Sequence, residues 1–262
     1  MNTDLVNKYA LVCGSTQGIG WATAQEIASL GATVTLFARN EEKLKECVVE
    51  LPRPQDQVHS YICGDFSQPN KISELLRIFI DSHHPFDILV NNTGGPAGGP
   101  IVDAELEQFE KTFALHLLSN HALVQVVIPH MKAQKWGRIV NVISTSVREP
   151  IRGLGVSNTI RGAVASWSKT LAGEMAPYGI TVNNVLPGPT NTKRLLNLIE
   201  SKANKASKSV SEAMDEFVSQ VPMGRIGEPQ ETAAAVAFLA SPAASFITGV
   251  NLPVDGGRIS CI

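Results

Sequence analysis

The segment that most constrains this chain is Leu-Val-Cys-Gly-Ser-Thr-Gln-Gly-Ile-Gly at residues 11–20. An apolar run passes into a turn with glycines at positions 14, 18 and 20, and the apolar spacing then changes to that of a helix. A strand, tight turn and helix in this order aim the free N–H groups of a helix start at whatever lies beyond the turn, which suits a phosphate. Such glycines also serve an ordinary tight turn. Their place in the first strand–helix unit weights the reading towards a dinucleotide pyrophosphate.

The rest of the chain repeats the unit. Residues 9–13, 33–38, 59–63, 87–91, 138–143, 181–186 and 250–254 read as seven strands, near-continuous in Val, Ile and Leu. Residues 19–30, 41–51, 71–82, 104–132, 157–176 and 228–239 carry helical spacing, and Gly31, Gly137 and Gly179 stand before strands as turn or cap residues. The alternation predicts an α/β fold, a single Rossmann domain over residues 1–262 with a doubly wound seven-stranded parallel sheet and helices on both faces. Residues 190–220 break the rhythm after the sixth strand with Lys, Ser and Asn. Open α/β sheets bind ligands beyond the carboxyl ends of their strands, so this stretch is read as a substrate lid or, equally, as a solvated helix pair.

Composition sets limits on function. With 44% hydrophobic and 18% charged residues the chain is an ordinary globular protein, and a net charge of −2 without a basic block argues against a nucleic-acid partner. The first residues lack the apolar core of a leader, and no apolar run reads as long enough for a membrane span, so a cytoplasmic location is expected. Cys13, Cys47, Cys63 and Cys261 are scattered without disulfide or metal-ligand spacing, and no metal is expected. The second strand closes Phe-Ala-Arg-Asn at 37–40. An acidic residue there would bind a free ribose hydroxyl, whereas Arg39 accommodates a 2′-phosphate and favours NADP over NAD. A surface Arg opening the next helix is the alternative.

Taken in order, these motifs resemble the short-chain dehydrogenase/reductase family over essentially the whole chain. Residues 13–20 match its Thr-Gly-x-x-x-Gly-Ile-Gly with Cys13 for Thr, and Asn91-Asn-Thr-Gly94 matches its Asn-Asn-Ala-Gly. Residues 137–144 match its fifth strand with the catalytic serine, while Pro187-Gly188 and Val254-Asp-Gly-Gly257 match its later turns. Within the family the chain is similar to 3-oxoacyl-acyl-carrier-protein reductases, a likeness that fixes no substrate. The resemblance implies NADP(H) contacts from Gly14, Ser15, Thr16, Gln17, Gly18, Ile19 and Gly20. It implies others from Arg39, from Asp65 beside the adenine, and from Phe66, Asn92, Thr93, Gly94, Arg161, Pro187, Gly188 and Thr190. It also implies a homotetramer or homodimer through the fourth and fifth helices, with Leu117, Leu118, Val164 and Trp167 either as contacts or as monomer core.

One part of the family pattern is absent. Its catalytic group is a Ser, a Tyr-x-x-x-Lys pair and an Asn. Counting from Ser144 puts Ser157 on the Tyr and Arg161 on the Lys, and counting back from Gly137 puts His116 on the Asn. An aliphatic hydroxyl is a far weaker acid than a phenol, and Arg161 cannot pass on a proton, although its guanidinium can hold ribose hydroxyls and stabilise an alkoxide. Ser157 also reads as a helix N-cap, Ser144 as a strand-end serine, and His116 as a packed helix residue.

The leading expectation is an NAD(P)(H)-dependent oxidoreductase acting on a carbonyl or alcohol with an atypical site. Ser144, with His116 or water, would supply the proton while Arg161 holds the ribose. The alternative is an NADP(H)-binding protein without redox catalysis, serving as a sensor or partner subunit. Tyr9, Tyr61 and Tyr178 are expected to pack rather than catalyse, and Arg148 and Arg152 are either anchors for an anionic substrate or solvated loop charges.

Overall fold

Ala10, Leu11 and Val12 of β1 (Tyr9–Cys13) are wholly buried, so this strand needs cover on both faces and neighbours on both edges. The computed structural model, which describes residues 1–261, supplies both. β1 lies in a seven-stranded sheet with β2 (Thr33–Ala38), β3 (Ser60–Cys63), β4 (Ile88–Asn91), β5 (Gly137–Val142), β6 (Ile180–Pro187) and β7 (Asn251–Val254). All pairings are parallel and the spatial order is β3-β2-β1-β4-β5-β6-β7, the expected doubly wound sheet.

Helices α1 (Gly18–Ser29), α2 (Glu41–Glu50) and α9 (Pro229–Ala240) cover one face over a core that includes Ile27, Leu36, Leu44 and Val236. Helices α3 (Pro69–Ser82), α5 (Ser119–Gln134) and α6 (Gly155–Met175) cover the other, over Leu11, Phe37, Leu76 and Leu123. Strand and helix bounds fall within about two residues of the sequence reading, with two informative differences. Gly137 is the first residue of β5 rather than a turn residue; the left-handed position is Lys135, at φ 50°. Gly137 is required instead because a Cβ there would lie 2.6 Å from Met131 Sδ.

The expected helix over 104–132 is continuous but not uniform. α4 (Leu106–Phe113) passes into a π-helical turn at Ala114–Leu118 before α5 begins. Both the backbone N–H and the hydroxyl of Ser119 donate to the Ala114 carbonyl five residues back, which holds the wide turn in place. The combined helix Leu106–Gln134 is 29 residues long and has an 18-residue stretch of mean hydropathy 1.2, which by length and composition alone would pass for a membrane span although histidine and amide side chains interrupt it. Its Leu123, Val124, Val127 and Met131 are at most 3% exposed and pack in the core of this domain.

Asparagines, three of them buried and Asn251 partly so, cross the carboxyl half of the sheet. Asn91 Nδ2 donates to Asn141 Oδ1 (2.8 Å), Asn141 Nδ2 to Asn184 Oδ1 (2.9 Å), and Asn184 Nδ2 to Asn251 Oδ1 (2.8 Å). One amide from each of β4, β5, β6 and β7 thus forms a ladder perpendicular to the strands.

The 190–220 segment folds as two helices, α7 (Lys193–Ala206) and α8 (Val210–Val218), with their own small core of Leu195, Ile199, Ala203 and Ala213. It stands beyond the carboxyl end of β6. Thr192 caps α7, and Ser209 with Glu212 forms a capping box on α8.

Candidate active site

The glycine turn is built for close backbone approach. Gly14 and Gly18 have φ of 59° and 55°, and a Cβ on Gly20 would lie 2.2 Å from the Gly14 carbonyl oxygen. Asn92 Nδ2 donates to the carbonyls of Cys13 and Gly14 at 3.3 Å each, tying the end of β4 to the turn. Ser15 is fully buried and its hydroxyl accepts from the Phe37 N–H at 3.0 Å, so it braces the turn rather than facing a ligand. α1 begins after Gln17 with no side-chain cap, which leaves its first N–H groups to bind an anion. A Cβ on Gly94 would meet nothing within 4 Å, so the path beyond the turn is open. These residues fit a dinucleotide: Gly14 to Gly20 would hold its phosphates, and Asn92 to Gly94 would flank its further half.

Beyond that path lies a cavity of ≈ 190 Å³ whose lining includes Asn92, Thr93, Ser144, Ser157, Arg161 and Arg194. Ser144, Leu154 and Leu195 also line an outer cavity of ≈ 480 Å³ roofed by Leu198 and Phe217 of the α7–α8 pair. Ser144 follows β5, and its Oγ accepts from the Ser146 N–H at 3.1 Å, leaving its own proton for an oxygen in the cavity. Ser157 and Arg161, one turn apart on α6, are both 8% exposed. Ser157 is not the helix cap anticipated as its alternative role: α6 starts two residues earlier, after Leu154.

Arg161 Nη1 donates to the Val142 carbonyl at 2.9 Å, while its Nε is buried without a partner. Burial pushes this guanidinium down to about 9, with the charge of Arg194 adding, so it remains charged at neutral pH. Among the described residues no carboxylate pairs with it. An uncompensated buried cation is costly and calls for an anionic or polyhydroxyl ligand.

His116 does not line either cavity. The π turn places it, 2% exposed, behind Thr93, with His116 Nδ1 2.5 Å from Thr93 Oγ1 and Nε2 buried without a partner. Burial first, then the charges of Arg161 and Arg194, hold its pKa well below the usual histidine value, so the ring is neutral. Any proton from His116 reaches the cavity through Thr93 or a water.

The remaining expected contacts divide. Ile19, Pro187, Gly188 and Thr190 line the inner cavity, although the Thr190 hydroxyl donates to its own loop at Gly188. Arg39 is exposed at the end of β2, and Asp65 Oδ1 accepts from the Ser67 N–H beside β3. Phe66 is 4% exposed and packs on Phe37 in the core, so its side chain offers nothing to a ligand. Tyr9 starts β1 and Tyr178 precedes β6, both at the amino ends of strands, and the Tyr61 hydroxyl donates to Glu41. No tyrosine lines these cavities among the described residues.

Two arginines escaped sequence reasoning. Arg194, on α7, donates from Nη1 to Gly95 O (2.6 Å) and from Nη2 to Pro96 O (3.1 Å), fastening the helix pair to the loop after β4. Arg258, after β7, donates to Thr145 Oγ1 (3.4 Å) and Gln220 Oε1 (3.3 Å) and lines the outer cavity. Neither carries a local motif; each matters only through long-range folding.

Comparison with known proteins finds reductases among those to which this chain is similar. A family model described as enoyl-(acyl carrier protein) reductase matches residues 14–258. A tropinone reductase homolog of Arabidopsis thaliana is 35% identical over 251 residues, covering 95% of this chain and 74% of the relative. The NADPH-dependent reductase BacG of Bacillus subtilis is 29% identical, covering 97% and 98%. The crystal structure of L-sorbose reductase from Gluconobacter frateurii, complexed with NADPH and L-sorbose, superposes with a TM-score of 0.93 at 26% identity over 100% of both chains.

Proposed function

The chain belongs to the short-chain dehydrogenase/reductase family, and we propose that it is an NADP(H)-dependent oxidoreductase interconverting a carbonyl and an alcohol through an altered proton relay. The observation that carries this reading is the shared wall of Ser144, Ser157 and Arg161 beside Asn92 and Thr93, at the mouth of a glycine turn that fits a dinucleotide. Arg39 at the end of β2, together with the NADPH named for BacG and for the sorbose reductase, supports NADP over NAD.

NADPH, when bound, supplies the hydride. The chain's residues do the rest. Ser144 Oγ donates its proton to the substrate oxygen, and the fixed charge of the Arg161 guanidinium at the cavity wall stabilises negative charge building on that oxygen and holds ribose hydroxyls. Thr93 Oγ1 links the cavity to His116. A proton on Nδ1 leaves the Thr93 hydroxyl free to donate inwards, and a proton on Nε2 turns Thr93 into an acceptor. The α7–α8 pair acts as the lid, held by Arg194. Exposed Ile101, Val102, Leu106, Phe113 and Leu118 support a homodimer or homotetramer. Val164 is excluded from that surface, because it is wholly buried in the monomer core.

Titration with NADPH and NADH, followed by cofactor oxidation across a panel of ketones and aldehydes, tests the reading. Tighter NADPH binding with turnover is expected. Binding without turnover on any member would instead favour a cofactor-binding subunit, a reading motivated by Ser157 and Arg161 at the positions of the acid pair.

A further inference from the structure

We propose that the substrate of this site carries an anionic group, a carboxylate or phosphate, and that Arg258 anchors it. The proposal rests on the reductase reading above for the location of the reacting carbonyl, beside Ser144.

The two cavities meet at Ser144, and their walls are one-sided in charge. Arg161 and Arg194 line the inner cavity, Arg152, Lys202 and Arg258 the outer, and neither wall contains an Asp or Glu. In a protein of net charge −2, five cations without a carboxylate across one continuous pocket are not the surface average. Arg152 and Lys202 are exposed and individually mean little. Arg258 differs from them. It is half-buried, reaches across from the segment after β7 to Thr145, the neighbour of Ser144, and its contacts are two long neutral hydrogen bonds at 3.3 and 3.4 Å. Its Nε is buried without a partner, as is that of Arg161.

A guanidinium held by such weak bonds keeps its fork for a bidentate anion, the pairing for which arginine geometry is best suited. Its position sets the spacing too: the anion sits at Thr145 while the carbonyl sits at Ser144, so the two groups lie close together on a short substrate. The apolar lining of Ile151, Leu154, Leu198 and Phe217 then takes the remainder. Because Arg161 and Arg194 stand near the dinucleotide path, cofactor phosphates compete as an explanation for those two charges. They do not reach the argument from Arg258, which lines only the outer cavity.

The test uses matched pairs differing in charge: 3-oxohexanoate with its methyl ester, and dihydroxyacetone phosphate with dihydroxyacetone. Binding to the full-length protein is measured by calorimetry with and without NADP(H), and NADPH oxidation is measured in parallel. The charged member of at least one pair is expected to bind about tenfold or more tighter than the neutral one, with the pair that shows it telling carboxylate from phosphate. Arg258→Gln should collapse that preference and Arg258→Lys should restore part of it, while NADPH affinity, measured on each variant, reports that the fold is intact. Charge preference without turnover supports the anion site and sinks the reductase reading. Equal binding within both pairs, no binding of any of the four, or a preference that survives Arg258→Gln overturns the proposal.

Discussion

Thr93 Oγ1 lies 2.5 Å from His116 Nδ1, and this bond joins a side chain that lines the inner cavity to one sealed behind it. The ring gains a partner on one nitrogen and none on the other, in a position where two guanidinium charges oppose its protonation.

His116 should therefore make the fold acid-sensitive. Its folded pKa lies well below 6.5, so above pH 6.5 the ring is neutral in both states and its contribution is complete. As pH falls from 6.5 towards the folded value, only the unfolded chain takes up the proton, and stability declines by up to about 1.4 kcal/mol per pH unit. His59 and His84 are shifted in the same direction, so the diagnostic quantity is a difference. Urea denaturation of wild type and His116→Asn at pH 7.5 and pH 5.5 should show a smaller acid loss in the variant; parallel curves would contradict the assignment.

Removing the Ser144 hydroxyl should lower kcat by about a hundredfold with little change in NADPH affinity, whereas Ser157→Tyr combined with Arg161→Lys should raise kcat/KM about tenfold or more. Both substitutions act on one wall of the cavity. Steady-state kinetics on the best carbonyl substrate, alongside NADPH titration, checks the pair. A double variant that binds NADPH and gains no turnover would show that the missing phenol is not what limits the site.

Gly20→Ala should be damaging out of proportion to its size. The new Cβ would sit 2.2 Å from a backbone oxygen, a clash that no side-chain rotation relieves. A loss of about 1–3 kcal/mol in unfolding free energy is expected, with NADPH affinity lowered more than tenfold. Thermal denaturation with and without NADPH separates the two effects.

Arg194→Ala should loosen the lid. It removes two donors to Gly95 and Pro96, so amide exchange across 193–218 should quicken and KM should rise by about tenfold, more than kcat falls. It also removes one of the charges opposing His116, so the histidine should titrate higher than in wild type, observable by NMR.

The sheet was legible because its signal is local: fully buried parallel strands read as apolar runs, and β1 and β2 match their expected bounds residue for residue. The glycine turn was legible for the same reason. What stayed hidden depends on contacts between distant residues. The π turn that buries His116 is held by Ser119, whose hydroxyl also reaches the Phe66 carbonyl, and no spacing of apolar residues encodes that. Arg194 touches a loop 99 residues earlier, and Arg258 a threonine 113 residues earlier. Phe66 shows a further limit of local reading: its neighbour Asp65 carries a motif, while its own ring fills the core and leaves only its backbone for a ligand.

The asparagine ladder gives the last strand a role as a check on completeness. Each amide in it is matched on the next strand, so until β7 docks, β6 is an edge strand and Asn184 Nδ2 has only water in place of its acceptor. A shift of β7 by one residue would turn Asn251 to the other face and leave the same vacancy. Since Arg258 follows directly on β7, the final rung and the final cation of the pocket arrive together. A chain that has not closed its ladder has not yet assembled its binding site.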